Sequence, residues 1–247
     1  MITHKDALRQ DRSTVGVLLS GGLDSSILVG QLLGEGRHVQ PFFIRSGLIW
    51  QKAELSALCR FLDVLRERHI EDYAELAPLV VLDLPLEDLY NGHWSTTGHG
   101  TPQSDSEDRA VFLPGRNVLL VVKAAIWCQL HGVNELCLGL LGTSPFEDAG
   151  MDYFKNLQVI INCGVNNLGG DSEVQLKLPF ASYNKVDLMR LGRDLPLELT
   201  FSCIAPKDGL HCGHCNKCAE RIEAFAAAGM DDPTEYAAVW EQVEDRR

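Results

Sequence analysis

A short apolar segment that runs directly into a glycine-rich turn is the feature that most constrains this fold. The segment, residues 13–20 (STVGVLLS), has the composition of a buried β-strand. The turn that follows is Ser20-Gly21-Gly22-Leu23-Asp24-Ser25-Ser26, and the pattern after it is helical. Two adjacent glycines let backbone N–H groups face a ligand, and the new helix N-terminus adds partial positive charge. Such a turn is suited to phosphate or pyrophosphate, and Asp24 would then orient Mg²⁺ or a nucleotide.

Strand-like and helical patterns alternate along the rest of the chain. Further strands are predicted at 38–44, 79–85, 135–142 and 174–180. This alternation predicts an α/β fold with a parallel five-stranded sheet and flanking helices. Right-handed crossovers would bring the ends of the first, second and fourth strands to one edge, where ligands bind in such sheets. Residues 91–110 have no periodicity and are predicted to form a long loop.

Four of the eight cysteines are concentrated in the last quarter of the chain at short spacings. They are Cys203, Cys212, Cys215 and Cys218. Four thiolates at these spacings suit a tetrahedral Zn²⁺, and the site would be structural because no position is left for water. Two alternatives stay open: an iron–sulfur cluster, and a ligand set in which His211 or His214 replaces one thiolate.

The acidic composition bears on the kind of partner. The formal net charge is −12, which argues against a nucleic-acid polymer as substrate, although a small anion needs only a few local cations. No apolar run approaches the roughly 18–20 residues of a membrane span. The polar N-terminus is not a secretory signal, so we expect a cytoplasmic protein in a reducing compartment.

The glycine-rich turn resembles that of the ATP pyrophosphatase (PP-loop) superfamily, also called adenine nucleotide α-hydrolase-like. It lacks the lysine of a GxxxxGK[ST] P-loop. The resemblance implies a HUP-type fold and an enzyme that cleaves ATP between the α and β phosphates. Such enzymes attach AMP to a carbonyl or carboxylate oxygen, and a nucleophile then displaces it. By this resemblance residues 20–26 hold the pyrophosphate, and Phe43, Ile44 and Arg45 cover the adenine.

Three motifs, in one order, resemble the 7-cyano-7-deazaguanine synthase (QueC) family. They are the SGGLDSS turn, Pro114-Gly115-Arg116-Asn117, and Leu199-Thr200-Phe201-Ser202-Cys203 leading into the other three cysteines and Arg221. The resemblance implies an ATP-dependent ligase that uses ammonia to convert 7-carboxy-7-deazaguanine to its amide and then to the nitrile. It also implies Mg²⁺ with ATP, a structural zinc and a homodimer.

The implied chemistry points to candidate side chains. The candidate catalytic residues are Asp24, Arg116 and Lys185. The two cations would neutralise charge that grows on the α-phosphate and on the leaving pyrophosphate. The candidate substrate-binding residues are Arg116, Asn117, Phe146 and Asp148. An aromatic ring can stack on a base, and a carboxylate can accept guanine-type N–H donors.

The motifs divide the chain into four parts. We expect an N-terminal extension at 1–13, a PP-loop ATP-binding α/β domain at 14–198, a zinc-binding subdomain with a helix at 199–229, and an acidic tail at 230–247.

Two segments depart from the pattern of the family that the motifs resemble. Arg45-Ser46-Gly47-Leu48 replaces a Tyr-Gly-Gln type segment, and Ala149 and Gly150 replace a Cys-Arg pair. Three other readings therefore stay open. A QueC-like paralogue, for example from a defence gene cluster, would join the deazapurine acid to a protein or peptide amine. A tRNA sulfur transferase of the same superfamily and a zinc module without catalysis are the other two.

Overall fold

The segment predicted as the first strand, β1 (Thr14–Leu19), lies in the middle of a parallel sheet. The computed structural model describes residues 14–68, 75–165 and 172–237, so the expected extension at 1–13 and the end of the acidic tail lie outside the described residues. On one side β1 pairs with β2 (His38–Arg45), and on the other with β5 (Glu135–Leu138). Three further strands complete the sheet: β3 (Glu75–Leu76), β4 (Val80–Asp83) and β6 (Gln175–Lys177). The order is β3-β2-β1-β5-β6, β4 also pairs with β2, and every pairing is parallel.

The predicted α/β class is confirmed, but the predicted number of five strands is wrong, because the sheet formed by the described residues has six. The extra strand arises where β3 and β4 share one edge of β2. Residues His38 and Val39 pair with β3, and residues 42–45 pair with β4. Pro78 lies between the two short strands and has no N–H to donate, so it interrupts the hydrogen-bond ladder. The two segments together occupy one strand position.

The helices flank the sheet. They are α1 (Leu23–Gly34), α2 (Gln51–Arg68), α3 (Trp94–Thr97), α4 (Arg116–His131), α5 (Met151–Asn162), α6 (Lys185–Leu191) and α7 (Asn216–Ala228), with 3₁₀ turns at Asp108–Val111, Glu147–Ala149 and Leu197–Leu199. The segment 91–110 is mostly irregular as predicted, although it contains the single turn of α3. Among the described residues, no helix is both long and apolar enough to cross a bilayer.

Both faces of the sheet carry an apolar core. Alternate residues of a strand point to opposite faces, so Phe43 joins the layer under α1 and α2 while Phe42 joins the layer under α4 and α5. A third cluster surrounds the four cysteines and includes Trp50 and Leu86. The fold thus brings the segments after β1, β2 and β5 to one edge, where the parallel strands end.

The turn after β1 is packed against the end of β5. At Gly139, just beyond β5, an added Cβ would lie 2.9 Å from backbone atoms of Asp24 and Ser25. Backbone atoms cannot move aside as a flexible side chain can. Gly139 is therefore required for the glycine-rich turn and the β5 end to approach each other.

We predict that Gly139→Ala lowers the free energy of unfolding by about 1–3 kcal/mol, because the methyl group forces the first turn of α1 outward. The measurement is urea unfolding. Gly34→Ala is the matched control, since an added Cβ there meets nothing within 4 Å, and it should be neutral or stabilising by up to about 1 kcal/mol. Equal losses in the two variants would contradict the prediction.

Candidate active site and metal centre

A cavity of about 1180 Å³ opens at the carboxyl ends of β1, β2 and β5. The predicted site residues that line it are Ser20, Gly22, Leu23, Asp24, Ser25, Phe43, Ile44, Arg116, Asn117, Phe146, Asp148 and Lys185. Gly21, Ser26 and Arg45 are not among its lining residues. Arg45 is exposed, and its guanidinium pairs with Asp83 at a distance of 2.5 Å from Nε to Oδ1. The fold therefore gathers in one cavity residues that lie far apart in the chain.

The glycine-rich turn has the shape of an anion cradle. Gly21 has a φ of +76°, which a residue with a Cβ rarely adopts. The Ser20 N–H donates to Ser25 Oγ at 3.2 Å, and this bond closes the turn. Gly22 is the N-cap of α1 and offers no side-chain cap. The first N–H groups of α1 are consequently left for a ligand at a helix end that favours negative charge.

Two of the candidate catalytic side chains form an ion pair at this turn. Lys185 Nζ donates to Asp24 Oδ1 at 2.6 Å, although the two residues are 161 positions apart. Asn184 caps α6 by accepting from the Asp187 N–H, and this fixes the helix on which Lys185 is the first residue. The resting site thus holds a cation and a carboxylate beside the cradle, each neutralising the other.

Sequence reasoning missed two further charged groups on the same wall. Lys217 Nζ lies 2.5 Å from Glu220 Oε2, and Lys185 Nζ lies 3.8 Å from Glu220 Oε1. Burial acts to raise the pKa of Glu220, but the two lysines outweigh it and hold that pKa below its ordinary value. The sequence did offer a signal, because Lys217 lies between two predicted metal ligands and Glu220 follows it three residues later. That spacing places both side chains on one face of a helix.

Two other residues that line the cavity have polar atoms without partners. Arg116 Nε and Asp148 Oδ1 are buried and have no hydrogen bond among the described residues. Asn117 Nδ2 donates to the Asp148 carbonyl at 3.2 Å and so fixes the backbone there. Burial raises the pKa of Asp148. A buried donor and a buried acceptor that lack partners are expected to bind a polar ligand.

An aromatic pair stands beside these atoms. The rings of Phe146 and Phe112 are stacked with centroids 5.3 Å apart, and both line the cavity. Ala149 also lines it, at the position where the family pattern has a larger residue. A flat heterocycle can bind against such a pair.

Glu54 on α2 is a cavity-lining carboxylate that sequence reasoning also missed. The residue is 5% exposed, and its Cγ lies 3.2 Å from where a Cβ of Gly21 would stand. Burial raises the pKa of Glu54 to about 8, while the charge of Arg116 acts to lower it. In sequence Glu54 looks like an ordinary surface residue of an amphipathic helix, so only the packed structure reveals it.

The four cysteines converge as predicted. Their Sγ atoms all lie within 4.8 Å of one another and all four residues are buried. Cys203 and Cys215 are 3.8 Å apart at sulfur, and Cys212 and Cys218 are 3.9 Å apart. His211 is turned away from this set, since its Nε2 accepts from the Ser202 N–H at 3.1 Å. The cluster can hold a metal ion.

The segment that carries the four cysteines, residues 199–218 (the cysteine segment), also supports the walls of the cavity. The Phe201 N–H donates to the Gly21 carbonyl at 2.7 Å, so this segment holds the cradle directly. On its other side, the Ser104 N–H donates to the His214 carbonyl at 2.9 Å, and the Asn216 N–H donates to the Pro102 carbonyl. These contacts fix part of the irregular 91–110 segment, including the cavity-lining Ser104.

Arg221 anchors α7 to this segment. It is 1% exposed, and its guanidinium donates to Thr200 Oγ1 at 2.8 Å, to the Leu197 carbonyl at 2.8 Å and to Thr234 Oγ1 at 2.6 Å. These bonds, with a fourth to Ser202 Oγ at 3.2 Å, satisfy a charge that would otherwise be costly to bury. Arg221 thereby fixes the start of the cysteine segment relative to the helix that carries Lys217.

Comparison with known proteins identifies the family. Residues 14–229 match the family described as Queuosine biosynthesis protein QueC. The chain belongs to the QueC family. Among curated relatives, the 7-cyano-7-deazaguanine synthase of Xanthomonas campestris pv. campestris (strain B100) is 28% identical over 227 residues, which cover 90% of this chain and 96% of that protein. The enzyme of the same name from Syntrophobacter fumaroxidans is 29% identical over 245 residues, covering 92% and 98%.

Two solved structures are more distantly similar. A predicted subunit of tRNA methyltransferase from Methanocaldococcus jannaschii has a TM-score of 0.45 at 16% identity, covering 74% of this chain and 75% of that one. A 4-thiouridine synthetase–RNA complex with bound ATP has a TM-score of 0.49 at 13% identity, covering 88% of this chain and 50% of that one. Likeness at this level says nothing about activity.

The segment after β2 departs from the QueC pattern but is well ordered. Gln51 Oε1 accepts from the Ser46 N–H at 2.6 Å, and its Nε2 donates to the Ile44 carbonyl at 2.9 Å. Gln51 is itself buried, so its amide replaces backbone partners that the turn cannot supply. This QueC family member thus keeps a defined edge to the cavity without the usual residues.

We predict that Cys215→Ser reduces the bound metal and lowers the free energy of unfolding by about 3 kcal/mol or more, because a buried ligand set loses one thiolate. Backbone amides of Ser104 and Asn216 should exchange hydrogen faster, since their hydrogen bonds join the cysteine segment to the 91–110 segment. Elemental analysis, urea unfolding and hydrogen exchange measure these effects. Cys59→Ser, at an exposed position, is the control. Normal metal content in Cys215→Ser would contradict the prediction.

We predict that Glu54→Gln becomes more stable relative to the unchanged protein as pH rises. The carboxyl has a pKa of about 8 when folded and about 4.5 when unfolded, so the folded state binds its proton more tightly. The free energy of unfolding of the unchanged protein therefore decreases as pH rises from about 4.5 to about 8, whereas glutamine has no proton to lose. Urea unfolding across pH should show a difference that grows over this range and then levels off. A difference that is constant with pH would contradict the raised pKa.

Proposed function

We propose that the protein is an ATP-dependent ligase that adenylates the carboxylate of 7-carboxy-7-deazaguanine and replaces AMP with nitrogen from ammonia. The products would be the amide and then 7-cyano-7-deazaguanine. One observation carries this proposal: a glycine-rich anion cradle, the Asp24–Lys185 pair and the unpartnered polar atoms of Arg116 and Asp148 all line one cavity. The names of the curated relatives support the choice of reaction.

The cradle and its ion pair suit the first half of such a reaction. A carboxylate is a poor electrophile, and adenylation turns one of its oxygens into part of a leaving group. Residues 20–26 would hold the pyrophosphate through backbone N–H groups and serine hydroxyls. Asp24 would hold Mg²⁺, which neutralises charge on the phosphates. Lys185, freed from Asp24, would then stabilise the charge that grows as pyrophosphate leaves.

The other end of the cavity suits the acid to be activated. Phe146 offers a ring face to the deazapurine, and Asp148 offers an oxygen that lacks a donor to the N–H groups of the base. Arg116, with Asn117 beside it, would face the substrate carboxylate and the α-phosphate, where negative charge accumulates. Phe43 and Ile44 line the cavity at the end of β2, where the adenine would lie.

The cysteine cluster fits a structural Zn²⁺. A tetrahedron with zinc–sulfur bonds of about 2.3 Å has sulfur–sulfur edges of about 3.8 Å, close to the 3.8 Å and 3.9 Å found at the two closest pairs. An iron–sulfur cubane attaches its thiolates to separate iron atoms and would need them further apart. With four protein ligands, the ion would fix the segment that holds Gly21 and take no part in the chemistry.

The same proposal includes a homodimer in the cytoplasm. Four exposed apolar side chains on neighbouring helices support a second copy: Ile126, Leu130, Val159 and Ile160. Gln129 on α4 donates to the Ile161 carbonyl on α5, so the two helix ends form one surface. A cytoplasmic location would supply ATP and keep the four metal-binding thiols reduced.

A sulfur-transfer reaction is less well supported. Such an enzyme needs a reactive cysteine at the nucleotide, and no cysteine among the described residues lines the cavity. Cys59 and Cys163 are exposed elsewhere, on α2 and just after α5, and Cys128 and Cys137 are buried with raised pKa values because of burial. The raised pKa values disfavour the reactive thiolate form of Cys128 and Cys137.

The test is incubation of the purified protein with ATP, Mg²⁺, 7-carboxy-7-deazaguanine and ammonium, with pyrophosphate release measured and products identified by mass spectrometry. We expect the amide and the nitrile. Pyrophosphate release without either product would show that the acid is activated for another nucleophile, and addition of amine-bearing peptides would then identify it. No pyrophosphate release would overturn the proposal.

We predict that Asp24→Asn and Lys185→Met each reduce acid-dependent ATP–pyrophosphate exchange by about 10²–10³-fold, because each removes a charge from the phosphate site. Metal content should stay normal, since neither residue is in the cysteine cluster. Lys207→Met is the matched control, an exposed lysine in the loop between Cys203 and Cys212. Full exchange in either site variant would show that its assigned role is wrong.

A further inference from the structure

Glu54 is a buried carboxylate that the proposed chemistry does not yet use. It lines the cavity and is 5% exposed. Among the described residues its carboxylate makes no hydrogen bond or ion pair, whereas Asp24 and Glu220 are both held by lysines. A buried ionisable group without a partner is costly to keep, so its retention inside a cavity calls for a function.

The position of Glu54 relates it to both halves of the site. Its Cγ lies directly under the cradle, 3.2 Å from the place of an added Cβ on Gly21. It is close enough to Arg116 for that charge to act on its ionisation. Gly21 belongs to the phosphate cradle and Arg116 to the substrate end. Glu54 therefore stands where the activated acid and the leaving AMP would meet.

We infer that Glu54 accepts the proton released when the nitrogen nucleophile attacks the adenylated acid, an inference that rests on the proposed function. The lone pair of ammonia forms the new C–N bond, and the C–O bond to AMP breaks with its electron pair leaving on AMP. One N–H proton passes to a Glu54 oxygen, which becomes a neutral carboxylic acid. That proton is later lost to solvent, and the carboxylate is regenerated.

The surroundings of Glu54 suit this task. Burial raises its pKa to about 8, and a general base works best when its pKa is close to the working pH. Glu54 must be ionised to accept the proton, and the charge of Arg116 favours the ionised form. Asp148 is half-buried, has one buried oxygen without a partner, and lines the cavity with Phe146 and Asn117, where the base is proposed to bind. Asp148 is thus the competing candidate.

The experiment separates the two half-reactions in Glu54→Gln, which keeps the size and shape of the protonated carboxyl. Adenylation is measured by acid-dependent ATP–pyrophosphate exchange, and nitrogen transfer by amide formation from ammonium. Exchange should change by less than about threefold, and amide formation should fall by about 10²-fold. Hydroxylamine, a weaker base than ammonia that needs less help to lose its proton, should show a smaller fall.

Two further variants make the outcome specific. Glu67→Gln, at an exposed carboxylate near the other end of the helix that carries Glu54 and outside the cavity lining, should leave both half-reactions unchanged. Glu54→Asp keeps the carboxylate on a shorter side chain, so it should retain more amide formation than Glu54→Gln. Urea unfolding confirms that each variant is folded before it is assayed.

Several results would overturn the inference. Equal falls in exchange and in amide formation would show that Glu54 only supports the cradle. Unchanged amide formation in Glu54→Gln, with selective loss in Asp148→Asn, would move the proton acceptor to Asp148. Failure of the proposed function gives a different result, because the unchanged protein would then show no acid-dependent exchange at all.

Discussion

The close packing of one glycine turn governs the rest of this structure. The Gly21 carbonyl accepts a hydrogen bond from the Phe201 N–H, and the Glu54 side chain packs against Gly21. The backbone of the first turn of α1 packs closely against Gly139. Each contact comes from a different part of the chain: the cysteine segment, α2 and the end of β5. The contact with the end of β5 leaves no room for a Cβ at Gly139. All three neighbours together fix the shape of the cradle. The anion site is therefore a product of the whole fold.

The cysteine segment is the clearest example of this dependence. It supplies the hydrogen bond from Phe201, it holds the irregular segment through Ser104 and Asn216, and it carries Lys217 between two of its cysteines. Arg221 on α7 also donates hydrogen bonds to Thr200 and Ser202, which directly precede the first of the four cysteines. A metal ion in this cluster would act at a distance, by fixing the walls between which nucleotide and acid must align.

Local patterns allowed much of this to be predicted from the sequence. The first strand, the turn and the cysteine cluster are encoded within short stretches, and the α/β class follows from the alternation of patterns. The count of strands failed because Pro78 divides one strand position into two, a break that composition alone does not reveal. Glu54, Lys217 and Glu220 were missed because their importance arises from contacts across the fold. Arg45 was predicted to cover the adenine, but its side chain pairs with Asp83 on the neighbouring strand and does not line the cavity.

The ion pair between Asp24 and Lys185 has one more consequence. Because the Asp24 carboxylate and the Lys185 ammonium group neutralise each other, the pair offers little net attraction to an anion that binds alone. A phosphate without a bound cation would have to compete with Asp24 for Lys185, and the Asp24 carboxylate would repel it. If Asp24 holds Mg²⁺ as proposed, a nucleotide that binds with a divalent cation would give Asp24 a new partner and would release Lys185. On the proposed function, the pair would therefore favour a polyphosphate that binds together with its divalent cation over one that binds alone.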